Sequence, residues 1–268
     1  MLAVDSIIIF LFLGAVVGFF AGLLGIGGGG IMVPALTAFF LYKNVPVDYV
    51  VHLALGTSMA SIITTSASSL YAHQKRQGVI WPIVRAMAPG ILLGTFLATY
   101  LVTHISASHL AIFFALFMAY VSVQMFLNIQ PKPSRTTPGN SALVVTGGAI
   151  GAVSAVVAIG GGSLTVPYLA WHNVSLKKAI GTSAAVGFPI ALAGTVGYLV
   201  NGWNSSYQQD YLYGFIYLPA VILISMVSYF TAPLGVKLAH SLPVPILKKV
   251  FAVFLLLLGV KMLMSVIG

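Results

Sequence analysis

Cysteine is absent from the 268 residues. That excludes disulfides, thiolate metal sites and cysteine nucleophiles, and leaves the redox compartment unreadable. Acids are almost as scarce: Asp5, Asp48 and Asp210 are the only carboxylates, against twelve Lys plus Arg, for a formal net charge of +9. None of the three falls inside an apolar run. Pumps and cation-coupled carriers usually place a carboxylate at membrane depth, so this chain is poorly equipped to bind cations. There is no H-E-x-x-H or other metal motif, and neither a metal nor a cofactor is expected. Charged residues of all kinds make up 6% of the chain, where a soluble domain carries about 25%.

What fills the space is apolar. Hydrophobic residues reach 59% and the mean hydropathy is +1.05. Apolar runs occupy 6–26, 31–42, 50–73, 79–102 and 107–128, then 141–159, 163–172, 178–200, 212–239 and 245–267. Several reach the roughly 20 residues that cross a bilayer as a helix, and none alternates as a barrel strand does. The expected class is an all-α polytopic membrane protein with about ten helical segments in one transporter domain spanning 1–268. The apolar start has no basic residue before it, so it reads as the first membrane element, not a cleaved signal.

One stretch occurs twice. Residues 22–36 read GLLGIGGGGIMVPAL and residues 155–169 read AVVAIGGGSLTVPYL. A shift of 133 places Ile26 on Ile159, Gly27, Gly28 and Gly29 on Gly160, Gly161 and Gly162, and Val33-Pro34 on Val166-Pro167. Consecutive glycines cost about 1 kcal/mol each in a helix interior, so each cluster breaks a helix. Pro near the start of the next run suits a new N-terminus. Each copy therefore predicts two helical pieces meeting at a non-helical joint, with Ile31 and Leu164 opening the second piece.

The repeat extends further. LGTS at 55–58 matches IGTS at 180–183, and Trp81-Pro82 matches Leu218-Pro219. The chain divides into a first repeat (1–127), a linker rich in Pro, Ser and Gly (128–140) and a second repeat (141–268). Basic residues orient the halves. The loop after 50–73 holds Lys75 and Arg76, while its counterpart NGWNSSYQQD holds no base and one acid. Under the positive-inside rule the two loops face opposite sides. The linker, with Lys132 and Arg135, and the turn at Lys177-Lys178 then join Lys75 and Arg76 on the cytoplasmic side. Segments 6–42 and 141–172 become hairpins, and the two five-element repeats are inverted. Lys43 and Lys261 fit this less well. The basic excess is an orientation signal first and an attraction for an anionic solute second; no nucleic-acid partner is implied.

Inverted repeats with interrupted helices are a recurrent transporter design. Bare N–H groups at a helix start favour an anion with no formal cation nearby. The candidate substrate joint is thus Gly27 to Gly30 with Ile31, and Gly160, Gly161, Gly162 and Ser163. Close helix packing is the other use of such glycines in membranes. The second constellation is Thr57 and Ser58 with Thr182 and Ser183. In the first half it continues through Ser61, Thr64 or Thr65, and Ser68 at helical spacing, a hydroxyl stripe that fades in the second half. Each hydroxyl has the alternative of bonding the carbonyl four residues back. Arg85 is expected to snorkel, the six histidines to sit solvated near run ends, and Trp81, Trp171, Trp203, Tyr207 and Tyr211 to anchor at the interface.

On these residues (GLLGIGGGGIMVPAL with HLALGTS, repeated as AIGGGSLTVPYL with KKAIGTS) the chain resembles the sulfite exporter TauE/SafE family of membrane permeases. The likeness covers essentially the full length. It implies transport of small sulfur-containing anions, such as sulfite or organosulfonates, across a bacterial inner membrane. Ser163 in place of the first copy's Gly30, together with the fading stripe, departs from a symmetric site. The expected function is an alternating-access carrier for a small anionic substrate in the lipid bilayer, with no catalytic residues. The alternatives are an anion channel, a membrane-embedded Ser/His enzyme or a scaffold. Lipid-facing glycines leave room for a homo-oligomer.

Overall fold

The computed structural model describes residues 4–25, 27–127, 138–239 and 244–267. Ile26, most of the 128–140 linker with Lys132 and Arg135, and His240 lie outside the described residues. Non-alternating apolar runs form helices because a helix satisfies its own backbone where no water can. Among the described residues there are ten: α1 (Val4–Leu24), α2 (Gly29–Tyr42), α3 (Val47–Gln74), α4 (Trp81–Val102), α5 (Ala107–Phe126), α6 (Asn140–Val157), α7 (Gly162–Trp171), α8 (Leu176–Asn201), α9 (Leu218–Ala239) and α10 (Val244–Ile267). Eight are long and apolar enough to cross a membrane; α2 and α7, with 14 and 10 residues, are short. The chain is a multi-pass, helical membrane protein. Among the described residues the only strands form a two-stranded hairpin, β1 (Leu212–Tyr213) with β2 (Ile216–Tyr217), paired antiparallel just before α9.

The centre is the pair α3 and α8, the most enclosed of the long helices, with most of their apolar residues buried. They run antiparallel. Met59, near the middle of α3, packs on Gly194 in the second half of α8, while Gly181, early in α8, packs on Gly78 just beyond α3. α5 and α10 are antiparallel too, since Gly259 meets Met118 and Lys249 lies over Phe126. By contrast, α1 and α9 run parallel, with Gly14 against Ile224 and Gly22 against Ala232. So do α4 and α6, where Gly147 meets Met87 and Gly151 meets Ile91. The hairpin-opening helix of each half thus lies along the fourth helix of the other.

These parallel contacts use glycine for closeness, since small residues let membrane helices approach where lipid offers no hydrophobic drive. A Cβ added at Gly94 would run into the carbonyl of Gly148, which is backbone and has little room to yield. Gly94→Ala is therefore expected to cost about 1–3 kcal/mol by overpacking, seen as a lower melting temperature in detergent. Gly139→Ala, with nothing within 4 Å of its Cβ, should leave it unchanged. Equal melting temperatures for the two variants would remove glycine packing from this interface.

Charge sorts by end. Asp5, Asp48 and Asp210 are all exposed, at the starts of α1 and α3 and in the loop after α8. Lys75 and Arg76 follow α3, Lys177 and Lys178 open α8, Lys237 closes α9, and Lys249 sits near the start of α10. Given the helix directions above, the acids gather at one end of the bundle and these bases at the other. Arg85, exposed in the second turn of α4, is at the basic end.

Candidate functional site: two glycine joints that meet

Both joints have the same backbone. Gly28 and Gly161, equivalent under the 133-residue shift, are the N-caps of α2 and α7 and adopt left-handed φ values of 82° and 77°. Gly25 and its equivalent Ala158 also have positive φ, 69° and 48°. The left-handed step costs a side-chain-bearing residue roughly 1–2 kcal/mol, which is why glycine holds the caps. The second helices begin at Gly29 and Gly162, two residues earlier than Ile31 and Leu164. Once the cap has turned the chain, the remaining glycines join the helix. The Ile31 and Leu164 amides are already engaged, both donating to the cap carbonyls, of Gly28 at 3.1 Å and Gly161 at 3.2 Å. The donors that such a terminus leaves free are the preceding N–H groups, at Gly29, Gly30, Gly162 and Ser163, which have no intrahelical partner by geometry. Pro34 and Pro167 fall in the second turn, not the first. Lacking an N–H, they leave the Gly30 and Ser163 carbonyls without their usual helical donor.

The joints touch each other. A Cβ at Gly27 would lie 2.6 Å from Gly160 Cα, and one at Gly29 would overlap the Ala158 carbonyl. They meet beside the middle of the central pair, Gly27 near Ile62 of α3 and Gly160 against Gly187 of α8. Between them lies a cavity lined by Ala21, Gly25, Gly27 and Gly160, by Thr65, Ser66 and Ser69 of α3, and by Ala184 and Gly187 of α8. Its volume of ≈ 10 Å³ is about what one water needs. The lining carries three hydroxyls, all from α3, and no charged side chain. Thr65 Oγ1 lies within hydrogen-bond distance of the Ser61 carbonyl at 3.2 Å and of Ser228 Oγ at 3.0 Å, and Ser66 Oγ donates to the Ile62 carbonyl; Ser69 Oγ is buried without a partner.

The Gly-Thr-Ser residues sit elsewhere. Thr57 and Thr182 are fully buried toward opposite ends of the bundle, each accepting a backbone N–H: Tyr217 to Thr57 and Ile80 to Thr182, both at 3.0 Å. Ser61 donates to the carbonyl of Thr57, four residues back. Ser183 donates to the Ile180 carbonyl at 2.8 Å and reaches the Gly25 carbonyl at 3.4 Å, so it touches the first joint. Ser58 Oγ is buried without a partner. Of the stripe through Thr57, Ser61, Thr65 and Ser68, the last two meet α9, Thr65 at Ser228 and Ser68 donating to the Tyr229 carbonyl. The cavity uses Thr65 with Ser66 and Ser69, a face turned by about one residue. The run Ser66-Ala67-Ser68-Ser69 held that signal, but periodicity alone does not say which of two adjacent hydroxyl faces looks inward.

The histidines depart from a solvated reading. His52, His73 and His172 are buried, at 5%, 1% and 7% exposure, while His104 and His109 are exposed. Both ring nitrogens of His52 face carbonyls, Asp48 at 3.0 Å and Val102 at 3.2 Å, tying α3 to the end of α4. Helix ends offer unpaired carbonyls, and a buried imidazole satisfies them where a solvated one has no need to. Among the described residues no three His, Asp or Glu side chains cluster as a metal site. Of the aromatics, Trp203 and Tyr211 are exposed, Trp81 donates to Gln74 at 2.9 Å, and Tyr207 stacks on Tyr49.

A helical, multi-pass membrane protein with two interrupted hairpins meeting at mid-span has the build of a membrane transporter. The chain belongs to the sulfite exporter TauE/SafE family, whose model matches residues 10–262. Its relatives include a probable membrane transporter protein of Haemophilus influenzae, 37% identical over 97% of this chain and 98% of the relative. Probable membrane transporters of Methanocaldococcus jannaschii (24% identical, 94% and 93% covered) and Bacillus subtilis (YunE, 23%, 96% and 97%) are also similar. No solved structure matches the chain.

Proposed function

We propose that the chain is a secondary carrier of the bacterial inner membrane that moves a small sulfur-containing oxyanion, of the sulfite or organosulfonate class, by alternating access between two inverted halves. The observation that carries this reading is the meeting of Gly27 with Gly160 beside the centre of α3 and α8. It brings two helix starts of positive partial charge to one point with no carboxylate in the lining. The antiparallel course of the equivalent helices α3 and α8, and of α5 and α10, supports inversion of the halves 1–127 and 141–268. The family's name supports the sulfur-anion class.

In this reading, the amides free at the two helix starts, those of Gly29, Gly30, Gly162 and Ser163, hold the anion with the hydroxyls of Ser66 and Ser69 beside Gly27 and Gly160, while the Gly161 amide is engaged by the Ile159 carbonyl at 2.7 Å. Ser58, Ser61 and Ser183 line its approach, and Thr57 and Thr182 flank the two mouths. The cavity has room for about one water and all of its lining residues are buried; in this reading it opens to one face at a time as the halves rock. That favours a carrier over a continuous pore.

Purified protein should be melted in the presence of sulfite, sulfate, thiosulfate, an alkylsulfonate and a carboxylate. A ligand at 100 times its Kd stabilises by about 2.7 kcal/mol, so the true substrate class is expected to raise the melting temperature by several degrees, and the others not. A shift with the carboxylate alone would remove the sulfur-anion assignment.

A further inference from the structure

Beyond the anion site, the two Gly-Thr steps share one unassigned construction. Gly56 receives the Phe215 carbonyl on its bare Cα face, and two residues on, the Tyr217 N–H donates to Thr57 Oγ1 at 3.0 Å. Gly181 likewise receives the Gly78 carbonyl, and two residues on, the Ile80 N–H donates to Thr182 Oγ1 at 3.0 Å. In both, the receiving helix belongs to one half and the docked segment to the other, the end of the β hairpin at Tyr217 and an irregular segment at Ile80. Tyr217 and Ile80 stand immediately before α9 and α4, whose Leu218-Pro219 and Trp81-Pro82 starts are equivalent. A Cβ on either glycine would collide with the docked carbonyl, so the closeness depends on Gly, and the N–H bond depends on Thr. One docking lies at the acidic end of the bundle and the other at the basic end.

We propose that these steps are two matched gate latches, Gly56-Thr57 closing the acidic face and Gly181-Thr182 closing the basic face. The inference rests on the alternating-access reading and adds to it which contacts must part. With both latches engaged, as here, the joint cavity has room for about one water. To expose it on one face, the start of α9 must leave α3, or the start of α4 must leave α8, while the opposite latch stays shut. Each latch spends a single hydrogen bond, and loss of its acceptor strands a buried N–H. Removing the hydroxyl at one end therefore favours opening at that end alone.

The absence of cysteine makes the test direct. Ala184 lines the cavity, so Ala184→Cys supplies the molecule's single thiol. Its labelling by a membrane-impermeant methanethiosulfonate is measured from each face of oriented proteoliposomes. Thr57→Val, isosteric but without an acceptor, is expected to raise labelling from the acidic face about 10-fold and lower it from the basic face. A bond worth about 1.4 kcal/mol is tenfold in an equilibrium. Thr182→Val is expected to do the reverse, and Thr57→Ser and Thr182→Ser, which keep the oxygen, to restore the parent pattern. A purely structural threonine would lower the melting temperature without moving the two rates in opposite directions.

If both valine variants shift labelling toward the same face, or neither shifts it, the latch assignment is overturned while one-face-at-a-time access in the parent protein still stands. If the parent thiol is labelled from both faces in one uninterrupted state, the carrier reading fails and the latches with it.

Discussion

With Gly27 replaced by Ala, proteoliposomes are expected to take up no more sulfite or sulfonate than protein-free vesicles, although the variant still inserts and purifies as a helical protein. Two effects combine at this residue. Its φ of 74° lies in the left-handed region, which costs Ala roughly 1–2 kcal/mol. The new Cβ would also stand 2.6 Å from Gly160 Cα, and a backbone atom cannot swing aside as a side-chain tip can. The joints must part, and the convergence of the two helix starts is lost with them. Gly161→Ala separates the effects. It carries the same strain, at φ 77°, but its Cβ faces Ile190 Cδ1 at 2.7 Å, the mobile end of a side chain. It should lose comparable stability yet keep measurable flux. Should Gly27→Ala transport at the parent rate, contact between the joints has no part in substrate handling.

The second large effect belongs to Ser69. Its hydroxyl is buried in the cavity lining without a hydrogen-bond partner, so the protein already bears the cost of burying it. Ser69→Ala removes an unsatisfied group and should leave the melting temperature equal or higher. If the hydroxyl donates to the transported anion, the half-saturation concentration rises by about 10- to 100-fold, since a hydrogen bond to a charged group contributes roughly 1.5–3 kcal/mol. Ser122→Ala is the matched control, because Ser122 is also buried and unpartnered but lies on α5 away from the joints. Its transport constants should not move. A parent-like half-saturation for Ser69→Ala at unchanged stability would take this residue out of the binding site. The combination of weaker binding and undiminished stability is informative because few buried serines can show it.

Much of the joint geometry was legible as pattern. The doubled glycine cluster marked both joints, and the helix boundaries agree with the apolar runs to within three residues except at α9, where the first six residues of the run 212–239 form the β1–β2 hairpin and the helix starts at Leu218. Glycine runs and prolines act locally, through backbone freedom and a missing N–H, so one-dimensional order suffices to see them. The roles of the hydroxyls were not legible in the same way. Thr57 and Thr65 share a stripe at helical spacing, yet one takes the Tyr217 amide from the far half and the other lines the cavity. Ser66 and Ser69 face the joints while Ser68 bonds the Tyr229 carbonyl. Their partners lie some 160 positions away or on another helix, and spacing within one helix carries no information about them. The buried His52 was missed for the same reason: its partner, the Val102 carbonyl, is 50 residues on.

By itself the amino-acid order determined that the chain lives in a bilayer, that its membrane helices break at two equivalent glycine clusters, and that no carboxylate waits at depth. Those are properties of composition and of backbone freedom, which act over a few residues. Only the tertiary structure decided that the two breaks press against each other, and that the Gly-Thr steps dock onto opposite halves at opposite ends. Both depend on how the helices stack, and that is settled by which glycine lets which carbonyl come close.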